Sequence, residues 1–343
     1  LLQGLLMRRI SGNLVARLRS PGPGPSRSDS DERDAPKIIV VAHADVASSS
    51  ALFSPWARRL WEEPEGAPSQ EERRRPRSLR SRRLRLHPGS IVLLASMVQT
   101  VVAVGVALGL RGTIPPTALG GAALVHLGLG VLAFDWWRSP PVPGANDNGS
   151  GLAVLLGLAQ GIAENSLQSA ELWVVATGDR EPDAGGMEAF LFQFGSLLDP
   201  QNTFVINVDD VGAGDLHIGV SEGRWDRLAY RPFMTGLAER IARSGAFGRV
   251  RLADLAGTTD AGPPTEAGFS AVTVTALQDG RAPAVLHTAH DTVDHVDPAA
   301  LDRALRFVAA LVRATDAELR VDGSIEALDS GPRKHEDRDA PDA

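Results

Sequence analysis

Short apolar runs rich in β-branched residues recur along this chain and predict the strands of a buried sheet. KIIVVA (37–42) is the first of them, and ELWVVATG, NTFVINV and FSAVTVTAL follow after residue 170. Longer stretches with helical periodicity separate the later strands. Strands that alternate with helices predict an α/β fold in which a mainly parallel, twisted sheet carries helices on both faces.

Residues that can bind a metal follow several of these apolar runs. His43 comes directly after KIIVVA, Glu181 follows ELWVVATG, and Asp209 ends FVINV. His287 ends a further run, AVL, and Asp147 lies in the loop-like PGANDNGSG. Ligands of open α/β sheets bind outside the carboxyl ends of the strands, so these residues are candidates for one site. Their side chains suit a pair of divalent ions that are bridged by one carboxylate.

Two long uncharged runs separate KIIVVA from PGANDNGSG. Residues 90–110 contain no charge, and residues 117–134 form a second apolar run after a turn with two prolines. A transmembrane helix needs about 20 apolar residues, and the flanking arginines and tryptophans are typical of interfacial anchors. The sequence therefore predicts a transmembrane hairpin over 90–135. The alternative is a pair of helices buried in a soluble core.

Charge is distributed unevenly along the chain. The net charge is -7, yet residues 73–85 hold eight arginines and no acid. One basic strip on an acidic chain is not typical of nucleic-acid binding, so no nucleic-acid partner is expected. The positive-inside rule places the strip in the cytoplasm, and a hairpin returns the chain to the same side. We therefore expect a membrane protein with a cytoplasmic catalytic domain and the lipid bilayer as a partner.

Composition divides the chain into five segments. The α/β domain begins in 1–50, an Arg-rich linker occupies 51–89, and the hairpin of 90–135 follows. The rest of the α/β domain lies in 140–318, and 319–343 is predicted to be a disordered tail. The chain does not begin with Met, so we expect a truncated N-terminus. It has no cysteine, which excludes thiolate ligands and leaves His, Asp and Glu for a metal.

The residues around these candidates carry a family resemblance. Five blocks resemble, in the same order, those of the M28 family of zinc aminopeptidases: AHAD (42–45), PGANDNGSG (143–151), VVATGDREPDAGG (174–186), INVDDVG (206–212) and LHTAHDTVDHVD (286–297). The resemblance implies a phosphorylase/hydrolase-like fold, a peptide substrate and two zinc ions, for which cobalt or manganese could substitute. It implies nothing about the oligomeric state.

The resemblance also implies a role for each candidate ligand. His43 and Asp209 would bind one zinc ion, while Glu181 and His287 would bind the other. Asp147 would bridge the two ions.

Three further acids match supporting positions of the family. Asp45 would orient the imidazole of His43, and Asp291 would support the site in a similar way. Asp260 matches a loop that is implied to bind the substrate.

Arg180 departs from the family pattern, which has Glu-Glu where this chain has Arg180-Glu181. The first Glu is the general base, and Arg cannot be deprotonated in a protein. Losing such a base costs about 10²–10⁴-fold in rate. Three readings remain. In the first, Asp179 acts as a substitute base. In the second, the metal-bound hydroxide alone hydrolyses peptides at a reduced rate, or Arg180 binds an acidic substrate group. In the third reading, the chain is an inactive metal-binding pseudopeptidase that acts as a membrane scaffold or peptide-binding module.

Overall fold

The structure, a computed structural model, describes residues 11–19, 33, 35–51, 54, 88–107, 116–180, 184–223 and 227–322. Within these ranges the chain forms eight strands, numbered here in chain order: β1 (Leu14–Leu18), β2 (Lys37–His43), β3 (Glu171–Thr177), β4 (Thr203–Asp209), β5 (Asp215–Glu222), β6 (Leu228–Ala229), β7 (Arg251–Asp254) and β8 (Ser270–Leu277). The same ranges contain seven α-helices: α1 (Pro88–Ala107), α2 (Pro116–Arg138), α3 (Gly151–Glu164), α4 (Gly185–Phe194), α5 (Pro232–Ala242), α6 (Gly262–Glu266) and α7 (Pro298–Asp322).

The sheet is mixed rather than mainly parallel, which corrects the prediction. Its strand order is β1-β3-β2-β4-β8-β5-β6, and β7 pairs with β5. The central strands β3, β2, β4 and β8 are parallel, whereas β1, β5 and β6 each pair with a neighbour in the antiparallel sense. Only residues 210–214 connect β4 to β5. A parallel return needs a dozen or more residues, so β5 must run the other way.

A hydrophobic core lies on each face of the sheet, because successive strand residues point to opposite sides. On one face, Ile38 and Val40 of β2 pack with residues of helices α3, α5 and α7. On the other face, Ile39 and Val41 pack with Trp173 of β3 and with helix α4. Helices therefore cover both faces and hold the central strands rigidly.

The carboxyl ends of three neighbouring parallel strands position the site. β2 lies between β3 and β4, and His43 at its end lies beside Thr177 in β3. β4 ends at Asp209. The kinked turn Ala145–Ser150, in which Asp147 and Asn148 have non-helical backbone angles, carries Asp147 and leads directly into helix α3. Residues that are far apart in sequence are thus collected at one edge.

The predicted transmembrane hairpin over 90–135 is wrong. The two apolar runs do form helices, α1 with 20 residues and α2 with 23. In the part of the chain that the structure describes, however, no helix combines the length and apolar character that crossing a membrane requires. The predicted membrane location depended on the hairpin and is therefore wrong as well. The predictions of a cytoplasmic catalytic domain and of the lipid bilayer as a partner rested on the same hairpin.

Polar residues within the two helices explain this error, because a run without charges is not equally apolar throughout. Helix α2 contains four glycines, His126 and Asp135. Ser96 Oγ of α1 lies 3.0 Å from Nε2 of His126, and the Asp135 carboxylate accepts a hydrogen bond from the Ser50 hydroxyl at 2.9 Å. The alternative of helices buried in a core also fails. Large apolar side chains of both helices are more than half exposed, among them Met97, Val101, Leu124, Leu127, Val131, Phe134 and Trp137.

The ends of the predicted segments differ from those observed. Helix α7 continues to Asp322, four residues into the tail predicted over 319–343. Residues 323–343 lie outside the described residues, as does most of the linker predicted over 51–89. At the N-terminal side, β1 pairs with β3 and is part of the sheet.

Candidate metal centre

His43, Asp147 and Asp209 meet at the carboxyl edge of the sheet. Nε2 of His43 lies 3.0 Å from Oδ1 of Asp147 and 3.3 Å from Oδ1 of Asp209. The three residues are buried, with exposed fractions of 1%, 1% and 4%, and their ligand atoms lie within 4.8 Å of one another. One imidazole and two carboxylates at this spacing can bind a divalent cation.

Asp147 lies between two histidines. Its Oδ1 faces His43, and its Oδ2 lies 2.8 Å from Nε2 of His287. Each oxygen of one buried carboxylate thus faces a different imidazole, as a carboxylate that bridges two metal ions requires. The structure therefore brings four of the predicted ligands together. The other, Glu181, lies outside the described residues.

Several polar atoms of this cluster are buried without a hydrogen bond of good geometry. Within the described residues they include Nε2 of His43, both carboxylate oxygens of Asp147 and Oδ1 of Asp209. An unsatisfied buried polar group costs about 1–3 kcal/mol, and a charged one costs more. Zinc takes imidazole nitrogen and carboxylate oxygen as ligands, so the donor set fits this ion.

Interactions within the cluster shift the pKa values of its members. Burial alone would lower the pKa of His43, but the carboxylates of Asp147 and Asp209 hold it well above its ordinary value. Burial alone would raise the pKa of Asp147, but His287 and His43 hold it well below its usual range. The raised pKa of His43 favours the protonated form of its ring. A bound metal cation would take the place of its proton.

The backbone of Asp45 orients the ring of His43. Nδ1 of His43 lies 2.9 Å from the carbonyl oxygen of Asp45. A carbonyl oxygen can only accept, so Nδ1 carries a proton, and Nε2 is left to face Asp147 and Asp209. The Asp45 carboxylate, which was predicted to orient the ring, is farther away at 3.5 Å. The orienting contact is made by the main chain.

Asp291 holds the backbone around Asp147. Its Oδ1 accepts a hydrogen bond from the N–H of Asn146 at 2.8 Å, and its Oδ2 accepts one from the N–H of Asp147 at 3.1 Å. Oδ1 of Asn146 accepts a hydrogen bond from the N–H of Gly212 at 2.8 Å. The turn that carries Asp147 is thus tied both to the segment that follows His287 and to the loop after β4.

Asp210 and Asn146 are site residues that the sequence reasoning missed. The Asn146 amide donates to Oδ1 of Asp210 at 3.1 Å, and the backbone of Asp210 has a positive φ of 55°. Burial raises the pKa of Asp210 well above its usual range, and the charges of Asp147 and Asp209 add to this. The available signals were the aspartate doublet in INVDDVG and the asparagines on either side of Asp147.

Arg180 lies at the site and pairs with a predicted ligand. Its Nη2 lies 3.0 Å from Oδ2 of Asp209 and donates to the carbonyl oxygen of Thr258 at 3.2 Å. Because Oδ1 of Asp209 faces His43, the carboxylate lies between the guanidinium and the metal position. Burial alone would raise the pKa of Asp209, but the positive charge of Arg180 helps to hold it below its usual value.

Asn13 fastens both ends of the segment that contains Arg180. Its Nδ2 donates to the carbonyl oxygen of Gly186 at 2.8 Å, and its Oδ1 accepts a hydrogen bond from the N–H of Gly178 at 3.1 Å. A Cβ at residue 186 would lie 1.8 Å from the carbonyl oxygen of Gly178, so this close approach requires glycine. The segment before β1 thereby supports the site.

The two remaining predicted site residues differ in exposure. Asp179 is exposed, and its Oδ2 lies against Gly185, where an added Cβ would be 2.9 Å away. Asp260 is 1% exposed and accepts a hydrogen bond from the Thr177 hydroxyl at 2.5 Å. Burial raises the pKa of Asp260 to about 6. Asp260 is therefore buried and hydrogen-bonded beside β3, and its role in substrate binding stays a prediction.

Solved structures of bacterial peptidases are similar to the chain at low sequence identity. A zinc aminopeptidase from Bacillus subtilis is 22% identical in sequence to this chain and has a TM-score of 0.41. The match covers 52% of this chain and 42% of the aminopeptidase. The LapA aminopeptidase of Legionella pneumophila is 17% identical with a TM-score of 0.43, covering 52% and 48%. A Zn-dependent exopeptidase from Parabacteroides distasonis is 12% identical with a TM-score of 0.48, covering 88% and 77%. The chain spans less than half the length of the first two.

A family model gives the assignment. Residues 130–312 match the model described as Peptidase family M28, a span that includes Asp147, Arg180, Asp209 and His287. None of the curated proteins compared with the chain is similar enough to count as a match. The family match covers more than half of the 343 residues and confirms the predicted relationship. The chain belongs to peptidase family M28.

Proposed function

We propose that this chain is a two-zinc hydrolase of the aminopeptidase type. The observation that carries the proposal is the position of Asp147, whose two carboxylate oxygens face His43 at 3.0 Å and His287 at 2.8 Å. Membership of peptidase family M28 supports the hydrolysis of peptide bonds.

Two sets of residues would hold the ions. His43 and Asp209 would hold one together with Oδ1 of Asp147, and His287 would hold the other together with Oδ2 of Asp147. Glu181 remains the predicted further ligand of the second ion. Bound zinc would supply Lewis-acid activation of the scissile carbonyl and of the attacking water.

The protein's own contacts prepare the ligands before a substrate binds. The Asp45 carbonyl oxygen fixes the ring of His43, and Asp291 fixes the backbone of Asp147. The two ligands are each 1% exposed and lie among packed neighbours. Such preorganisation avoids a reorganisation cost during the reaction.

Arg180 limits the proposed reaction. It occupies the position that the family resemblance assigns to the general base, and a guanidinium cannot accept a proton. Asp179 is the neighbouring carboxylate that could accept it, since it is exposed to solvent. We therefore expect the rate of hydrolysis to be about 10²–10⁴-fold lower than at a site with a positioned base.

A second candidate function is an inactive domain that binds metal and peptides. The pairing of Arg180 with Asp209 favours it, because a cation stands where a base is needed. Both candidates require the metal, so metal binding alone does not separate them.

The deciding experiment measures zinc-dependent release of N-terminal residues by wild type, Arg180→Glu and the matched control Arg180→Gln. On a panel of aminoacyl-p-nitroanilides we expect slow turnover by wild type, abolished by a chelator. We also expect a gain of about 10²–10⁴-fold in Arg180→Glu and no such gain in Arg180→Gln. Zinc-loaded protein that shows no turnover either as wild type or as Arg180→Glu would refute the peptidase proposal. That result would leave the inactive metal-binding domain.

A further inference from the structure

We infer that Arg180 weakens cation binding at the position formed by His43, Asp147 and Asp209, which we call the inner position. Arg180 would thereby set the metal concentration at which the inner position fills. The inference rests on the proposed metal-binding function of the site, but it does not depend on peptide hydrolysis.

The contacts of Asp209 carry the inference. Its Oδ1 lies 3.3 Å from Nε2 of His43 and belongs to the inner position. Its Oδ2 lies 3.0 Å from Nη2 of Arg180. If a metal ion binds, one carboxylate would therefore face a cation of the protein on one oxygen and the metal ion on the other.

Arg180 is held in this place by more than one contact. Its Nη2 also donates to the carbonyl oxygen of Thr258 at 3.2 Å, and its side chain is 15% exposed. Thr258 precedes Thr259, whose N–H and hydroxyl bond to the buried Glu222 at 3.2 and 2.6 Å. These contacts would have to break before the guanidinium of Arg180 could move away from a bound cation.

Two effects of Arg180 on cation binding oppose each other. By holding Asp209, Arg180 orients a ligand, and partners that orient ligands typically raise metal affinity by about 10–100-fold. By its charge, Arg180 repels a dication across a single carboxylate. At an effective dielectric constant of about 20, that repulsion exceeds the gain from orientation. The repulsion therefore outweighs the gain from orientation, and the net effect of Arg180 is weaker cation binding.

This arrangement has a consequence for metal loading. The negative charge that Asp209 offers to a metal is shared with a cation that is always protonated. The inner position would fill only at a higher free concentration of zinc than a site with the same three ligands and no guanidinium. Arg180 would thus act on the metal content of the protein as well as on its chemistry.

The experiment titrates metal-stripped full chain with zinc and with cobalt, by calorimetry and by the absorbance of bound cobalt. Arg180→Gln removes the charge, Arg180→Lys keeps it, and Arg180→Met replaces Arg180→Gln if that variant does not fold. We expect one equivalent to bind about tenfold or more tightly in Arg180→Gln, while Arg180→Lys stays close to wild type.

Each outcome bears on the inference. Unchanged or weaker binding by Arg180→Gln overturns it, and so does an equal gain by Arg180→Lys, which keeps the charge. Protein that binds no metal in any variant overturns it as well. Protein that binds metal as expected but does not hydrolyse peptides leaves the inference standing and removes only the proposed activity.

Discussion

Oδ2 of Asp291 accepts a hydrogen bond from the backbone N–H of Asp147 at 3.1 Å, across 144 positions of sequence. The other oxygen of Asp291 accepts one from the N–H of Asn146 at 2.8 Å. Because both partners are donors, position 291 needs two acceptor oxygens, which a carboxylate has and an amide lacks. Asp291 thus determines where the carboxylate of Asp147 can lie.

Replacing Asp291 by Asn should therefore weaken zinc binding without removing a ligand. An amide turns one donor towards a backbone N–H, so we expect zinc affinity to fall by about 10–100-fold. The free energy of unfolding should fall by about 1–3 kcal/mol. Zinc titration and urea unfolding measure the two effects. Asp294→Asn, a change at an exposed acid nearby, is the matched control. Wild-type zinc affinity in Asp291→Asn would contradict the assignment.

Zinc should stabilise the folded protein, because the ligands are assembled only in the folded state. At a free zinc concentration of 100 times Kd, the free energy of unfolding should rise by about 2.7 kcal/mol. Thermal unfolding with zinc and with a chelator measures this gain, which should be largely absent from Asp147→Asn. A control change at the exposed Asp302 should keep it. A midpoint that zinc leaves unchanged in wild type speaks against the site.

His217 should make stability depend on pH away from the metal centre. It lies in β5, and burial lowers its pKa below 6.5. Between its folded pKa and 6.5, the unfolded chain binds a proton that the folded chain does not bind. The free energy of unfolding therefore rises with pH through this window and falls on acidification.

His217→Gln should accordingly lose less stability than wild type between about pH 7 and pH 5. Urea midpoints at the two pH values measure the difference. If His217→Gln keeps the wild-type dependence, then burial of His217 does not lower its pKa.

Phe307 and Phe192 offer a matched test of the core. Phe307 of α7 is fully buried and meets the ring of Phe247 edge to face at 5.3 Å, whereas Phe192 of α4 is 95% exposed. Phe307→Ala should lower the free energy of unfolding by about 3–5 kcal/mol. Phe192→Ala should change it by no more than about 0.5 kcal/mol. Equal effects in urea unfolding would contradict the packing of α7.

The positions of His43 and Asp209 could be predicted from the sequence because each ends a short apolar run. Parallel pairing then brings their ends together at one edge, as β2 and β4 do. The direction of β5 could also have been inferred, since residues 210–214 leave no room for a crossover. The hairpin failed because uncharged residues such as Ser96 and His126 were treated as apolar, although they bond to each other.

Contacts between distant backbone groups could not be predicted in the same way. The carbonyl oxygen of Asp45, which orients His43, has no signature in the sequence, because every residue has such an oxygen. The pairing of Arg180 with Asp209 depends on where β3 and β4 end relative to each other in space. A motif identifies which residues meet, but not which of their atoms do.

Asn13 ties together the two ends of the segment between Gly178 and Gly186. Arg180 lies within this segment and pairs with Asp209 of β4 at 3.0 Å. A residue near the start of the described chain therefore helps to determine how far the guanidinium lies from the ligands of the inner position. Substitutions at Asn13 would act on the site from outside it, through the backbone of Gly178 and Gly186.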